Sequence, residues 1–191
     1  MLLIEIKCKK LELLFNNNSK IELISIKNIE KNIFKAVSNN NDTLYFYFKN
    51  GTTVFHNYKE EPAILLNNGT KIFMENNKIH RDNDEPAVIF ENNFEMYLMH
   101  GKFHRINDKP AIIVNWLANF PDIFYINDIF FYNENLSGFS IWFYNDKIHR
   151  LHNPAFVHNI DPESSKYFIN DEEYSELNFK KICLQHLLES F

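Results

Sequence analysis

Histidine and arginine recur side by side along this chain, and a repeated His-Arg pair suits two kinds of chemistry. His80-Arg81, His104-Arg105 and His149-Arg150 each open a short phrase that closes on Pro-Ala, at Pro86, Pro110 and Pro154. A weaker copy runs from His56 to Pro62 and Ala63, with Asn57 in the arginine's place. Three imidazoles at one level would suit zinc. Three guanidinium groups in a row would suit phosphate. A metal, however, needs donor atoms that converge on one point. A fixed repeat sets equivalent atoms one unit apart, roughly 10 Å or more at about 4.8 Å per strand. The arginines, for their part, stand among Asp82, Asp84, Glu85 and Asp108. Both sets therefore read as structural. Each imidazole is expected to bond its nearby loop, and each guanidinium to bond loop carbonyls or a neighbouring carboxylate.

Nothing else in the chain points to an enzyme. It has no glycine-rich phosphate loop, nucleophile elbow or paired zinc-ligand spacing. His152 and His158 lie near Asp161 but without a nucleophile. No catalytic residue, cofactor or metal ligand is expected. The net charge of −5 disfavours a nonspecific nucleic-acid binder, which needs a basic face to displace counterions.

These phrases need elements to hold them. The prolines at 62, 86 and 110 are 24 residues apart, a spacing that marks a repeat architecture. One unit reads as strand Pro86–Glu91, turn Asn92-Asn93, strand Phe94–Met99, turn His100-Gly101 and short strand Lys102–Arg105. Turn pairs recur at Asn50-Gly51, Asn68-Gly69, Asn76-Asn77, Asn127-Asp128, Asn145-Asp146 and Asn170-Asp171. Tight hairpin turns need positive φ, which Gly adopts freely and Asn and Asp tolerate best among the rest. Pro lacks a donor and suits a strand start, and Ala suits a crowded inward place. The pattern predicts a mostly β fold: an antiparallel meander of repeated hairpins with an N-terminal β/α cap and a C-terminal helix.

The cap is placed at residues 1–42, with a helix over Lys27–Val37 from the spacing of Ile26, Ile29, Ile33 and Val37. The repeat zone covers 43–174 and decays at 114–138. There Tyr125–Phe131 reads as a degenerate copy that carries an insertion around Asn115–Pro121. The closing helix spans residues 175–191, with Ser175 as N-cap. It is expected to turn the face of Leu177, Leu184, Leu188 and Phe191, with Ile182 and Leu187 beside it, onto the sheet.

The run aromatic-x-x-turn-Lys-apolar-His-Arg-x4-Pro-Ala resembles MORN-type β-hairpin repeats, in the variant found in uncharacterised proteins of bacteriophages and large DNA viruses. The resemblance covers Thr43–Tyr174. Family members usually carry Gly before Pro-Ala, where this chain has Glu85, Lys109 or Asn153. The resemblance implies a β-sheet used for protein or lipid contact, with no shared chemistry.

Length and composition fit one globular unit with free thiols at Cys8 and Cys183. No apolar run approaches the roughly 20 residues that span a bilayer, and the start is charged too soon for a signal peptide. The expected setting is the cytoplasm or a virus particle, not the secretory route. The function expected is a non-enzymatic interaction or scaffold module, possessed of a protein partner whose identity the sequence does not carry. The alternative is a nucleic-acid- or ribosome-associated factor that uses the His-Arg stripe. The aromatics Trp116, Phe120, Tyr125, Phe130 and Phe131 are the candidate partner contact.

Overall fold

The computed structural model describes residues 2–5, 20–91, 94–115, 123–126, 129–132 and 138–189. It is mostly β, built of antiparallel hairpins, with a C-terminal helix. Two compact units make it up: Met1–Glu91 with Leu98–Gly101, and Asn92–Tyr97 with Lys102–Phe191.

The first unit holds β1 (Leu2–Glu5), β2 (Lys20–Glu30), β3 (Ile33–Ser38), β4 (Thr43–Lys49) and β5 (Thr52–Phe55). It continues with β6 (Ile64–Leu65), β7 (Lys71–Ile72), β8 (Met74–Glu75), β9 (Lys78–Ile79) and β10 (Val88–Ile89). Its sheet runs in the order β1-β2-β3-β4-β6-β7-β10, with β5 paired to β4 and with β8 and β9 as a separate hairpin. The second unit holds β11 (Phe94–Met96). With β12 assigned to Leu98–Met99 in the first unit, the second continues with β13 (Lys102–Phe103) and β14 (Ile112–Val114). Then come β15 (Ile123–Ile126), β16 (Ile129–Tyr132), β17 (Phe139–Ile141), β18 (Phe143–Tyr144) and β19 (Lys147–Ile148). The last elements are β20 (Phe156–His158), β21 (Tyr167–Ile169), β22 (Glu172–Tyr174) and α1 (Glu176–Glu189). Its sheet order is β11-β14-β17-β20, and β18–β19 and β21–β22 are two-stranded hairpins.

Each long strand turns a corner at one aromatic residue. Phe94–Met99, expected as one strand, is two, broken at Tyr97, and Phe73 and Trp142 break their strands likewise. In β4 the corner is Tyr45: Thr43 and Leu44 pair with β6, while Phe46–Lys49 pair with β5. The corner amide reaches the alanine of the next Pro-Ala. The N–H groups of Tyr45, Phe73, Tyr97 and Trp142 donate to the carbonyls of Ala63, Ala87, Ala111 and Ala155 at 2.7–2.8 Å. Their own carbonyls accept from the N–H of His56, His80, His104 and His149. All four alanines are fully buried, so a larger side chain there would have to displace packed neighbours. Ile64, Ile72, Val88, Ile112, Val114, Phe139 and Ile141 form the cores of the sheets, each fully buried.

The turns adopt the positive φ expected of them, at Asn50, Asn76, Asn77, His100, Asn145, Asp146, Asn170 and Asp171. The loop inside the phrase uses the same device at Asn83-Asp84 and Asn107-Asp108.

Three expectations change. Lys27–Val37 is not a helix: it falls in β2 and β3, joined at Asn32 with φ 64°. Ile29, Ile33 and Val37 are β-branched, and the pairing of β2 with β3 and of β3 with β4 outweighs their helical spacing. Among the described residues of 114–138, no strand enters the ladder between β14 and β17 as a further copy of the unit would. Val114 pairs with Phe139 and Ile112 with Ile141, so β14 lies directly beside β17. Among the described residues between them, β15 and β16 pair with each other as a two-stranded sheet. The leucine face of α1 is also not the packed one: Leu177, Leu184, Leu187 and Leu188 are exposed. The helix docks instead through Phe179 and Cys183, with Phe179 4.8 Å from the Tyr167 ring. Ser175 caps it as expected, its hydroxyl accepting the Asn178 N–H. Among the described residues no helix is long and apolar enough to cross a membrane.

Candidate functional site

The recurring histidines join each hairpin to the turn of the next. His56 Nδ1 accepts the Asn76 N–H at 3.4 Å, His80 Nδ1 the His100 N–H at 3.3 Å, and His104 Nδ1 the Asn145 N–H at 3.4 Å. The second turn residue completes the joint. Its N–H donates back to the preceding short strand, from Asn77 to Phe55, Gly101 to Ile79, Asp146 to Phe103 and Asp171 to Ile148. Its side chain also accepts: Asn77 Oδ1 takes the Phe55 N–H, Asp146 Oδ1 the Phe103 N–H and Asp171 Oδ1 the Ile148 N–H, at 2.6–2.7 Å. Glycine at 101 supplies the φ without the acceptor.

His149 departs from the pattern. Its Nδ1 is buried with no hydrogen-bond partner. Burial, opposed by the Asn170 side chain, pushes its imidazole pKa below the usual histidine value.

The arginines are held on two sides. Arg81, Arg105 and Arg150 donate through Nη1 to the carbonyls of Pro86, Pro110 and Pro154, at 3.3, 3.1 and 3.1 Å. Each guanidinium lies over its corner ring, 3.8 Å from the centroid of Phe73, 3.5 Å from Tyr97 and 3.8 Å from Trp142. Arg81 also pairs with Glu85, and Arg150 grips Asp108 with both Nε and Nη2 at 2.7 Å. In the first copy Tyr58 stacks on Tyr45 in the arginine's stead. Asn57 Oδ1 there accepts the Ala63 and Met74 N–H groups. The prolines Pro62, Pro86, Pro110 and Pro154 thus sit just ahead of their strands, and those after the three arginines serve as acceptors.

One copy brings titratable groups together. Glu75, His80 and His100 place a ligand atom each within 4.8 Å of one another. His80 Nε2 is 3.8 Å from Glu75 Oε2 and 3.2 Å from Asp82 Oδ1, and His100 Nδ1 is 3.6 Å from Glu75 Oε2. The two rings stack at 4.2 Å. His80 is buried, and Glu75 and His100 are open to solvent. Sequence reasoning weighed His80 with His104 and His149 and missed this set. The signal was present: His100 stands where the other turns have Asn76, Asn145 and Asn170.

Elsewhere, Asp161 donates its N–H to His158 Nδ1 at 2.9 Å, and the Ser164 hydroxyl bonds the Asp161 carboxylate, holding that carboxyl below the usual range. The hydroxyl meets the carboxylate rather than the imidazole, so this is a loop closure and not a nucleophile–base pair. Of the candidate contact aromatics, Trp116 and Phe120 lie outside the described residues, as does the turn at 127–128. Tyr125 lies on β15, and Phe130 and Phe131 on β16.

No protein-family model, curated protein or solved structure matches the chain.

Proposed function

We propose that this chain is a non-enzymatic interaction or scaffold module that acts by presenting a surface to a protein partner. What supports the reading is how the recurring polar residues are spent. His56, His80 and His104 bond the turns, and Arg81, Arg105 and Arg150 bond proline carbonyls and cover rings. The variable places beside them stay open and are apolar in the second unit: Ile106 is 57% exposed, Tyr144 56% and Leu151 39%. The Tyr144 ring sits 5.2 Å from His104 and 6.1 Å from His149, beside two of the recurring histidines. Exposed apolar side chains grouped on an ordered scaffold are the usual mark of a contact surface. The resemblance to MORN-type repeats points the same way and makes a virus particle or an infected cell the setting to search first. A nucleic-acid role for the His-Arg stripe is disfavoured, because Arg81 and Arg150 are already engaged by Glu85 and Asp108.

The test is cross-linking from a photoreactive residue at position 144, followed by capture and mass spectrometry from the native source. A protein captured by the wild type and lost by I106S/L151S, with unchanged melting, supports the reading. Identical capture by both chains, or salt-dependent binding of RNA in place of any protein, refutes it.

A further inference from the structure

We propose that Glu75, His80 and His100 form a binding site for one divalent ion of the zinc class, with the fourth position open to Asp82 or water. This goes beyond the interaction reading and does not depend on it.

The spacing fits. Zinc takes nitrogen and carboxylate oxygen at about 2.0–2.2 Å, which sets ligand atoms of a tetrahedron roughly 3.3–3.5 Å apart. The distances here are 3.2 Å from His80 Nε2 to Asp82, 3.6 Å from His100 Nδ1 to Glu75 and 3.8 Å from His80 Nε2 to Glu75. The two rings stack at 4.2 Å, so the exposed His100 ring turns out of the stack to bring its Nδ1 lone pair onto the ion held by His80 and Glu75. Two imidazoles with carboxylates suit zinc, whereas magnesium and calcium prefer oxygen alone.

The residue types are peculiar to this copy. Beside the recurring histidine, the place of Glu75 is taken by Tyr47 next to His56 and by Tyr144 next to His149. The turn place of His100 holds Asn76, Asn145 or Asn170, and the place of Asp82 holds Tyr58, Ile106 or Leu151. The fold needs none of the three ligand types, since the other copies close without them. Their joint arrival around one buried imidazole is what the joint itself leaves unexplained.

Binding has a structural consequence. With Nδ1 accepting the His100 N–H, neutral His80 carries its proton on Nε2, aimed at Asp82 and Glu75. A metal bound at Nε2 displaces that proton, and the neutral ring then carries its single N–H proton on Nδ1. The long 3.3 Å bond to His100 then yields to two metal bonds that tie β8–β9 to the turn at 100–101. The ion takes over the joint rather than adding to it.

The experiment is calorimetric titration of the chelator-stripped full chain with ZnCl2, with MgCl2 and CaCl2 in parallel. His100→Asn restores the residue of three other turns, and Glu75→Gln is isosteric, so both should melt like the wild type in EDTA. The expected result is one zinc site in the wild type, weakened at least tenfold in each variant, and a zinc-dependent rise in melting temperature that both variants lose. Zinc binding that survives both substitutions, as a site at another histidine or at a cysteine would, overturns the proposal. So does the absence of zinc binding, or equal binding of magnesium.

Discussion

Replacing Arg150 by alanine removes three interactions at once, and the structure sets their sizes. The bond from Nη1 to the Pro154 carbonyl is charge-assisted and partly buried, worth about 1.5–3 kcal/mol. The stack on Trp142 adds about 0.5–2 kcal/mol. The Asp108 pair adds about 1 kcal/mol or less, because the Asp108 side chain is 54% exposed and water screens it. The three share one rigid group and do not sum fully, so the expected loss is about 2–4 kcal/mol. Arg150→Lys keeps the charge but not the planar fork, and should still lose about 1–2 kcal/mol. Urea unfolding of wild type, Arg150→Ala and Arg150→Lys measures both. The loss should persist in 1 M salt, where the Debye length is about 3 Å and an exposed ion pair counts for little. If Arg150→Ala unfolds within about 0.5 kcal/mol of wild type, the size of an ordinary surface change, the guanidinium is no structural clamp. It would then be free for a ligand, and the inward reading of the arginines would fall.

Asp146 takes the Phe103 N–H while at φ 70°, so Asp146→Asn should be nearly neutral, as Asn77 shows in its own turn, and Asp146→Gly should lose about 1–2 kcal/mol of acceptor in urea unfolding. Phe179→Ala should cost about 3–5 kcal/mol by thermal or urea unfolding and Leu184→Ala less than about 0.5 kcal/mol, since the first is buried and the second open. His149 has a folded pKa below its unfolded value, so the unfolded chain binds more protons in the window between them. Stability is therefore full above the unfolded value, near 6.5, and falls as pH drops toward the folded one; His149→Gln should flatten that part of a melting-temperature profile against pH.

The hairpin turns were legible because positive φ is a local demand, and Asn, Asp and Gly answer it residue by residue. The inward alanines followed from Pro-Ala for the same reason. The corners were not legible. Nothing local bends a strand at Phe73, Tyr97 or Trp142; the bend rests on an alanine carbonyl 14 residues on in the first two cases, and on an arginine that closes over the ring. Helical spacing misled at Ile26–Val37, where pairing on both sides decided the outcome. The Glu75–His80–His100 set joins one hairpin to the turn of the next. It becomes visible only when the 20-residue step from His80 to His100 is known to be a contact.

The histidine joints close loops of 20, 20 and 41 residues. The long one contains Val114 and Phe139, two residues 25 apart in sequence yet side by side in the ladder. Doubling a flexible loop costs only about 0.6 kcal/mol of closure entropy. This is therefore a place where the chain can accept foreign length at little cost. New sequence can be tried between Val114 and Phe139 while His104 still meets Asn145 and β14 still meets β17, so selection can change the length here without renegotiating the sheet.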